Sequence, residues 1–317
     1  MEKGEARIQA TGARRQGKRG GEKMRARGEQ KRRERAETRK GGRDENAGIA
    51  QGGGIGYTEY NKERRENTMA YAWAAGAGVM LASILGSGMG LIWRNISHRA
   101  NDMILGYAAG VMLTAAFVGL LPTGFAQTDL PGIFTGCAGV VAGAWFISLM
   151  DRFVPHMHFE NGTFDSSEAH GKTNRVLLLV IAIAIHNIPE GLATGLAFSG
   201  GMSQNALLVA LSMVIQKIPE GLIVMMPLLK LGMKRGRAFG LCCVVALMML
   251  PGLVLGMLLG TLPGMLVSFF YAFTFGAIVY VISDEVIPES HEHGYQRHAT
   301  FALIGGILSV MLLDLML

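Results

Sequence analysis

His186-Asn187-Ile188-Pro189-Glu190-Gly191-Leu192 is followed thirty residues later by Gln216-Lys217-Ile218-Pro219-Glu220-Gly221-Leu222, and the two stretches share the core Ile-Pro-Glu-Gly-Leu. Each copy lies in the middle of a long aliphatic run. On a helix, residues four apart share a face, so His186 is expected one turn from Glu190 and Gln216 one turn from Glu220. Two such faces could enclose one cation. Pro189 and Pro219 each remove a backbone donor and push the ring against the carbonyl one turn back, near residues 185 and 215. Freed carbonyls inside a membrane are tolerated where they line a protected or wet cavity, and a transported ion can satisfy them.

Working outward from these copies, apolar runs fall at roughly 70–92, 103–121, 131–150, 176–199, 206–229, 238–260, 264–287 and 299–317. Most approach the ~20 residues that a helix needs to cross a bilayer core. Glycine is frequent within them, as it is where membrane helices pack backbone to backbone. The sequence is therefore expected to form an all-α integral membrane protein with eight transmembrane helices. Cys137, Cys242 and Cys243 all fall inside apolar runs and read as small packing residues, with no disulfide framework implied.

The charge divides the chain at Met69: residues 1–68 hold 19 of the 30 Lys and Arg and 11 of the 24 Asp and Glu, and almost no aliphatic or aromatic residues before Tyr57. Such a segment cannot bury enough surface to fold alone and is expected to be disordered. Nothing in it favours a nucleic-acid partner. Among the inter-helix segments, those after spans 1, 3, 5 and 7 carry Arg94, Arg99, Arg152, Lys172, Arg175, Lys230, Lys234, Arg235, Arg237 and Arg297, whereas those after spans 2, 4 and 6 carry no Lys or Arg. The positive-inside rule makes the former cytoplasmic and places both termini outside the cell (plasma or inner) membrane. A basic tail on the outside conflicts with that rule, so residues 1–68 are expected not to be translated, with Met69 as the start. An intact mass that includes residues 1–68 would end that expectation.

Charged side chains at mid-bilayer face a protein interior and default to functional candidates. His186 and Gln216 each stand about eleven residues into their spans, so both polar clusters reach similar depth. His186, Asn187, Glu190, Gln216 and Glu220 together supply an imidazole, two amides and two carboxylates. That donor set suits borderline divalent metals such as zinc or ferrous iron, and mixed nitrogen and oxygen donors also accept manganese, cobalt and cadmium. Taken singly, a buried His or a helix Pro is more often structural; the combination at one depth favours a site. An intramembrane metalloprotease, whose H-E-x-x-H signature puts a second His one turn after the first, is the enzymatic alternative. Here Asn187 follows the His and Glu190 occupies the fourth position, so no enzyme is expected; a metal-binding membrane protein that does not transport is the third reading.

With the motifs HNIPEGLATG at 186–195, QKIPEGL at 216–222, AAGVML at 108–113 and DEVIPESHEHG at 284–294, the chain resembles the ZIP (Zrt-, Irt-like protein) family of divalent metal transporters, in particular its bacterial GufA-like members. The resemblance covers essentially residues 70–317. It implies that helices 1–3 and 6–8 form inverted repeats around helices 4 and 5, with metal held between the latter two. Carried onto this chain, the primary site comprises His186, Glu190, Gln216 and Glu220 with Met112 nearby, and Asp284 and Glu285, followed by Glu289, His291 and His293, match a region on the release path. His156, His158 and His170 fall in the segment between spans 3 and 4, where the family often carries histidines; an ordinary loop reads equally well there.

Two departures stand out. Lys217 and Leu250 occupy positions where two-metal bacterial members carry acidic residues. Lys217 lies three residues before Glu220, so its ammonium can stand beside Glu220 and Glu190 in the space of a second cation. A single-metal centre with a tethered positive charge is the expectation, serving uptake into the cytoplasm without ATP or a resident cofactor. Divalent metal ions and the lipid bilayer are the expected partners; a homodimer is left open.

Overall fold

In hydrocarbon every backbone N–H and C=O must find its partner within the protein, which leaves helices as the economical solution for long apolar segments. The computed structural model describes residues 66–93, 96–153, 169–230 and 232–317, and they are helical with no strand among them. For residues 153, 169–180 and 182 the description is limited to the helical backbone. Residues 1–65, and with them the expectation for the tail, lie outside the described residues, as do Arg94, His156, His158 and the side chains of His170, Lys172 and Arg175.

Eight helices run through the described residues. They are α1 (Glu66–Ile92), α2 (His98–Gly124), α3 (Leu130–Phe153), α4 (Ala169–Ser199), α5 (Gln204–Lys230), α6 (Arg235–Leu259), α7 (Gly264–Ser290) and α8 (Gln296–Met316). Seven of these, all but α4, are long and apolar enough to cross a membrane among the described residues. The 31-residue α4 carries the remaining apolar run. The helices match the expected spans and extend a few residues past most of them, because amphipathic ends such as His98-Arg99-Ala100-Asn101 can continue a helix beyond the hydrocarbon. Ser97 caps α2, its hydroxyl accepting from the Ala100 N–H at 3.2 Å.

Three helices carry local irregularities that prolines explain. In α6 the regular turns stop at Met248, just before Pro251. In α2 a wide π turn spans Ala116–Leu120 ahead of Pro122, and in α7 another spans Ile282–Val286 ahead of Pro288. A π turn absorbs the bond that a proline cannot make without ending the helix.

Glycines set the packing. A Cβ on Gly86 of α1 would lie 2.1 Å from the Ile218 carbonyl of α5, and one on Gly252 of α6 would lie 2.2 Å from the Ile188 carbonyl of α4. Conversely, a Cβ on Gly221 would meet the Ser83 carbonyl at 2.2 Å, and one on Gly191 the Met249 carbonyl at 2.1 Å. Each α1 position in these contacts has its α6 counterpart 166 residues on, just as Ile188 and Gly191 have Ile218 and Gly221 thirty residues on. The same 166-residue step relates the prolines and π turns of α2 and α7, and Gly110 to Gly276. Gly110 packs on the Leu303 carbonyl of α8, while Gly276 packs on the Val140 carbonyl of α3. The pairs α1–α5 and α6–α4 are thus counterparts, as are α2–α8 and α7–α3. Because an odd helix maps onto an even one, successive crossings make the two repeats inverted, with α4 and α5 between them.

Candidate functional site

Gly191 and Gly221 bring α4 and α5 against α6 and α1, and the glutamate just before each glycine is rotated by about 100° away from that contact. Glu190 is thereby sealed in the interior at 3% exposure, together with Asn187, Gln216 and Lys217 at no more than 2%. The Lys217 ammonium forms ion pairs with Glu190 and, at 2.5 Å, with Glu220 Oε1. It also donates to Asn187 Oδ1 at 2.5 Å. Asn187 Nδ2 in turn donates to the Val245 carbonyl of α6 at 2.8 Å, so that both ends of this amide are engaged. Gln216 Nε2 donates to Glu190 Oε1 at 2.7 Å. The Gln216 Oε1 atom is buried and accepts no hydrogen bond among the described residues.

Met112 of α2 is buried in the core cluster that holds Leu192, Ala193 and Met213. Its thioether belongs to the packing beside the seam. Glu220 is 25% exposed at its side chain, so one end of the Lys217 cluster opens outward while Glu190 is closed off.

His186, one turn before Glu190 on α4, takes its ion pairs from other helices. Its Nδ1 pairs with Glu285 Oε2 of α7 at 2.9 Å, and its Nε2 lies 3.9 Å from Asp151 Oδ1 near the end of α3. Glu285 reaches it from the π turn Ile282–Val286, where the widened backbone rephases the side chains relative to a plain helix. Asp284, in the same turn, is exposed.

The one-turn pairs thus also reach partners on other helices. His186 and Glu190 stay one turn apart on α4, and Gln216 and Glu220 on α5; in addition the His186 ring engages Glu285 and Asp151 across helices, and Gln216 bonds Glu190 across the seam. No group of three or more His, Cys, Asp or Glu is gathered for a metal ion among the described residues. The physical reason lies in charge: a buried carboxylate without a counter-charge is costly, and the Lys217 ammonium reaches both glutamates. Asp151 was not singled out from the sequence. It closes an otherwise apolar span and reads there as an ordinary polar helix end. Of the cysteines, Cys242 packs in a core cluster with Val224 and Val245, whereas Cys137 is exposed on α3.

Comparison with known proteins locates this arrangement. The family model described as ZIP zinc transporter matches residues 160–314. The zinc transporter GufA of Myxococcus xanthus is 39% identical over 182 residues, covering 57% of this chain and 70% of that protein. The zinc transporter ZIPB of Bordetella bronchiseptica is 36% identical over 252 residues, 78% of this chain and 81% of the relative. A zinc transporter ZupT of Chlorobium phaeovibrioides is 36% identical over 253 residues and is covered to 94%. With paired Ile-Pro-Glu-Gly-Leu helices at the centre of a helical membrane protein and similarity of this extent, the chain belongs to the ZIP family.

Proposed function

We propose that this protein carries a divalent transition-metal cation, zinc first and iron or manganese as further candidates, across the membrane into the cytoplasm. The cation passes one at a time through the α4–α5 seam. The observation that carries this reading is the set of seam donors held against a single tethered ammonium: buried Glu190, partly exposed Glu220 and the buried Gln216 carbonyl, which accepts no hydrogen bond among the described residues. Relatives named zinc transporters supply the metal that heads the order of preference.

Lys217 then acts as a resident counter-cation. Two carboxylates facing one ammonium favour a further positive charge, and a divalent ion entering beside Glu220 competes with the ammonium for both. Asn187 Oδ1 already accepts from Lys217 and provides an anchor as the carboxylates exchange partners. His186, once released from Glu285, can turn one helical step to the ion; Glu285 and Asp151 lie beyond it as the next oxygen donors. The cytoplasmic direction follows the positive-inside reading, and an inside-negative potential adds about 4.6 kcal/mol for a doubly charged ion crossing 100 mV.

Proteoliposome uptake tests this directly. Purified protein should accumulate zinc inside vesicles under an inside-negative potential, and Glu190→Ala and His186→Ala should abolish accumulation. Zinc that binds but never crosses would sink the transport reading in favour of a binding protein. The second element, one ion per seam, is tested by counting: two transition ions bound at the α4–α5 centre of each chain would overturn it.

A further inference from the structure

Between Gly221 and Ser283 the chain holds no Asp, Glu or His, and its only charged residues are Lys230, Lys234, Arg235 and Arg237. The turn between α5 and α6 gathers all four. α5 ends at Lys230, the chain reverses at Gly232, whose φ of +80° glycine adopts without strain, and α6 begins at Arg235. The Gly232 N–H donates to the Leu229 carbonyl at 3.0 Å and the Met233 N–H to the Leu228 carbonyl at 3.2 Å, which closes the turn. The four basic side chains are exposed, and none forms an ion pair or hydrogen bond among the described residues. α6 has no acidic residue in its first turn, so the positive end of its own dipole adds to theirs.

This uncompensated charge stands at the edge of an apolar surface. Leu229, Met233 and Phe239 pack on the core cluster of Val224, Leu228 and Val245, and Leu91 from the end of α1 joins them. Directly after Leu91 come Ile92 and Trp93, 77% and 57% exposed. A tryptophan at the end of a span settles at the level of the lipid headgroups. Clusters of four to eight basic residues immediately beyond a membrane helix attract anionic lipid, because phosphate charges lie at that depth. We propose that the α5–α6 turn binds the headgroups of anionic phospholipids through Lys230, Lys234, Arg235 and Arg237, with Trp93 beside the acyl chains. The lipid lies in the leaflet that the positive-inside reading makes cytoplasmic, and it ties down the end of the helix that carries Gln216, Lys217 and Glu220. The site needs no metal and does not depend on transport through the seam.

Trp93 reports on this corner once Trp73 and Trp145, the other two tryptophans, are replaced by phenylalanine. The full-length chain is reconstituted in phosphatidylcholine vesicles with a rising fraction of brominated phosphatidylglycerol or brominated phosphatidylcholine, and quenching of Trp93 fluorescence is followed. The brominated phosphatidylglycerol should reach half-maximal quenching at a severalfold lower fraction, each basic residue contributing up to about fivefold, and high salt should reduce the difference. Replacing all four basic residues by glutamine should abolish the preference, whereas Arg235→Lys with Arg237→Lys should retain it. Residues 1–68 are the same in every variant, so their basic residues do not account for a difference. Soluble glycerol phosphate should leave the quenching unchanged; displacement by it would make a free phosphate ester the ligand and overturn the lipid assignment. Equal quenching by the two lipids, or a preference undiminished in the fourfold glutamine variant, also overturns the proposal.

Discussion

Replacing Lys217 by methionine keeps much of the side chain's length and deletes its ammonium. In the native arrangement the Lys217 and Glu190 side chains are 2% and 4% exposed, whereas Glu220 is 25% exposed. Removing one partner of a buried pair costs about 3–5 kcal/mol, because the remaining charge is stranded in a poor solvent. The Glu220 arm, partly open to water, adds no more than about 1 kcal/mol. The metal-free variant is therefore expected to be several kcal/mol less stable, and a divalent ion is the natural replacement for the missing charge. At a free concentration one hundred times the dissociation constant, a bound ion returns about 2.7 kcal/mol. Thermal unfolding in detergent, in chelator and across a zinc series, measures both effects. Lys217→Met should melt well below the unmodified chain in chelator and recover much of the loss in zinc. The unmodified chain, where zinc must displace an ammonium, should respond less. Equal midpoints in chelator, or equal zinc shifts, would refute the counter-cation argument.

Three further outcomes are expected. Gly191→Ala and Gly221→Ala would drive a methyl to within 2.1 and 2.2 Å of the Met249 and Ser83 carbonyls, and each should destabilise by about 1–3 kcal/mol or more; Gly236→Ala, with open space around it, serves as the neutral control in the same melting assay. Tyr271→Phe removes the hydroxyl that donates to the Leu196 carbonyl at 2.8 Å between α7 and α4, and should cost about 1 kcal/mol without changing zinc affinity, read by melting and dialysis together. Acidifying the outside of zinc-transporting vesicles should slow initial uptake reversibly, since Glu190, Glu220 and His186 bind metal only when unprotonated; an uptake rate that rises with external acid would contradict the ligand set.

The helices were legible in the sequence because a span is a local property: about twenty apolar residues between polar ends say the same thing wherever they pack. Which helices touch was not legible. Lipid is as apolar as a neighbouring helix, so hydropathy carries no contrast between the face of Gly86 that meets Ile218 and the faces that meet lipid. The glycines were visible, but their partners emerge only when the 166-residue correspondence is read off the contacts. At the site, the Ile-Pro-Glu-Gly-Leu repeat and Lys217 singled out the seam because charges in apolar runs are rare. The partner of His186 was lost to local reasoning, since Glu285 reaches it through a π turn whose change of phase leaves no mark in residue spacing.

The glycine contacts also have a mechanical meaning. Where carbonyl meets glycine, no side chain can re-pack to let one helix slide on another, so α1–α5 and α4–α6 each behave as a stiff two-helix beam. Glu190 rides on one beam and Glu220 on the other. Any relative tilt of the beams changes the gap between the two carboxylates, and Lys217, on the same beam as Glu220, becomes the bolt across that gap. On the transport route proposed above, the grip on the cargo and the movement that delivers it would be a single coordinate, set by the angle between two beams.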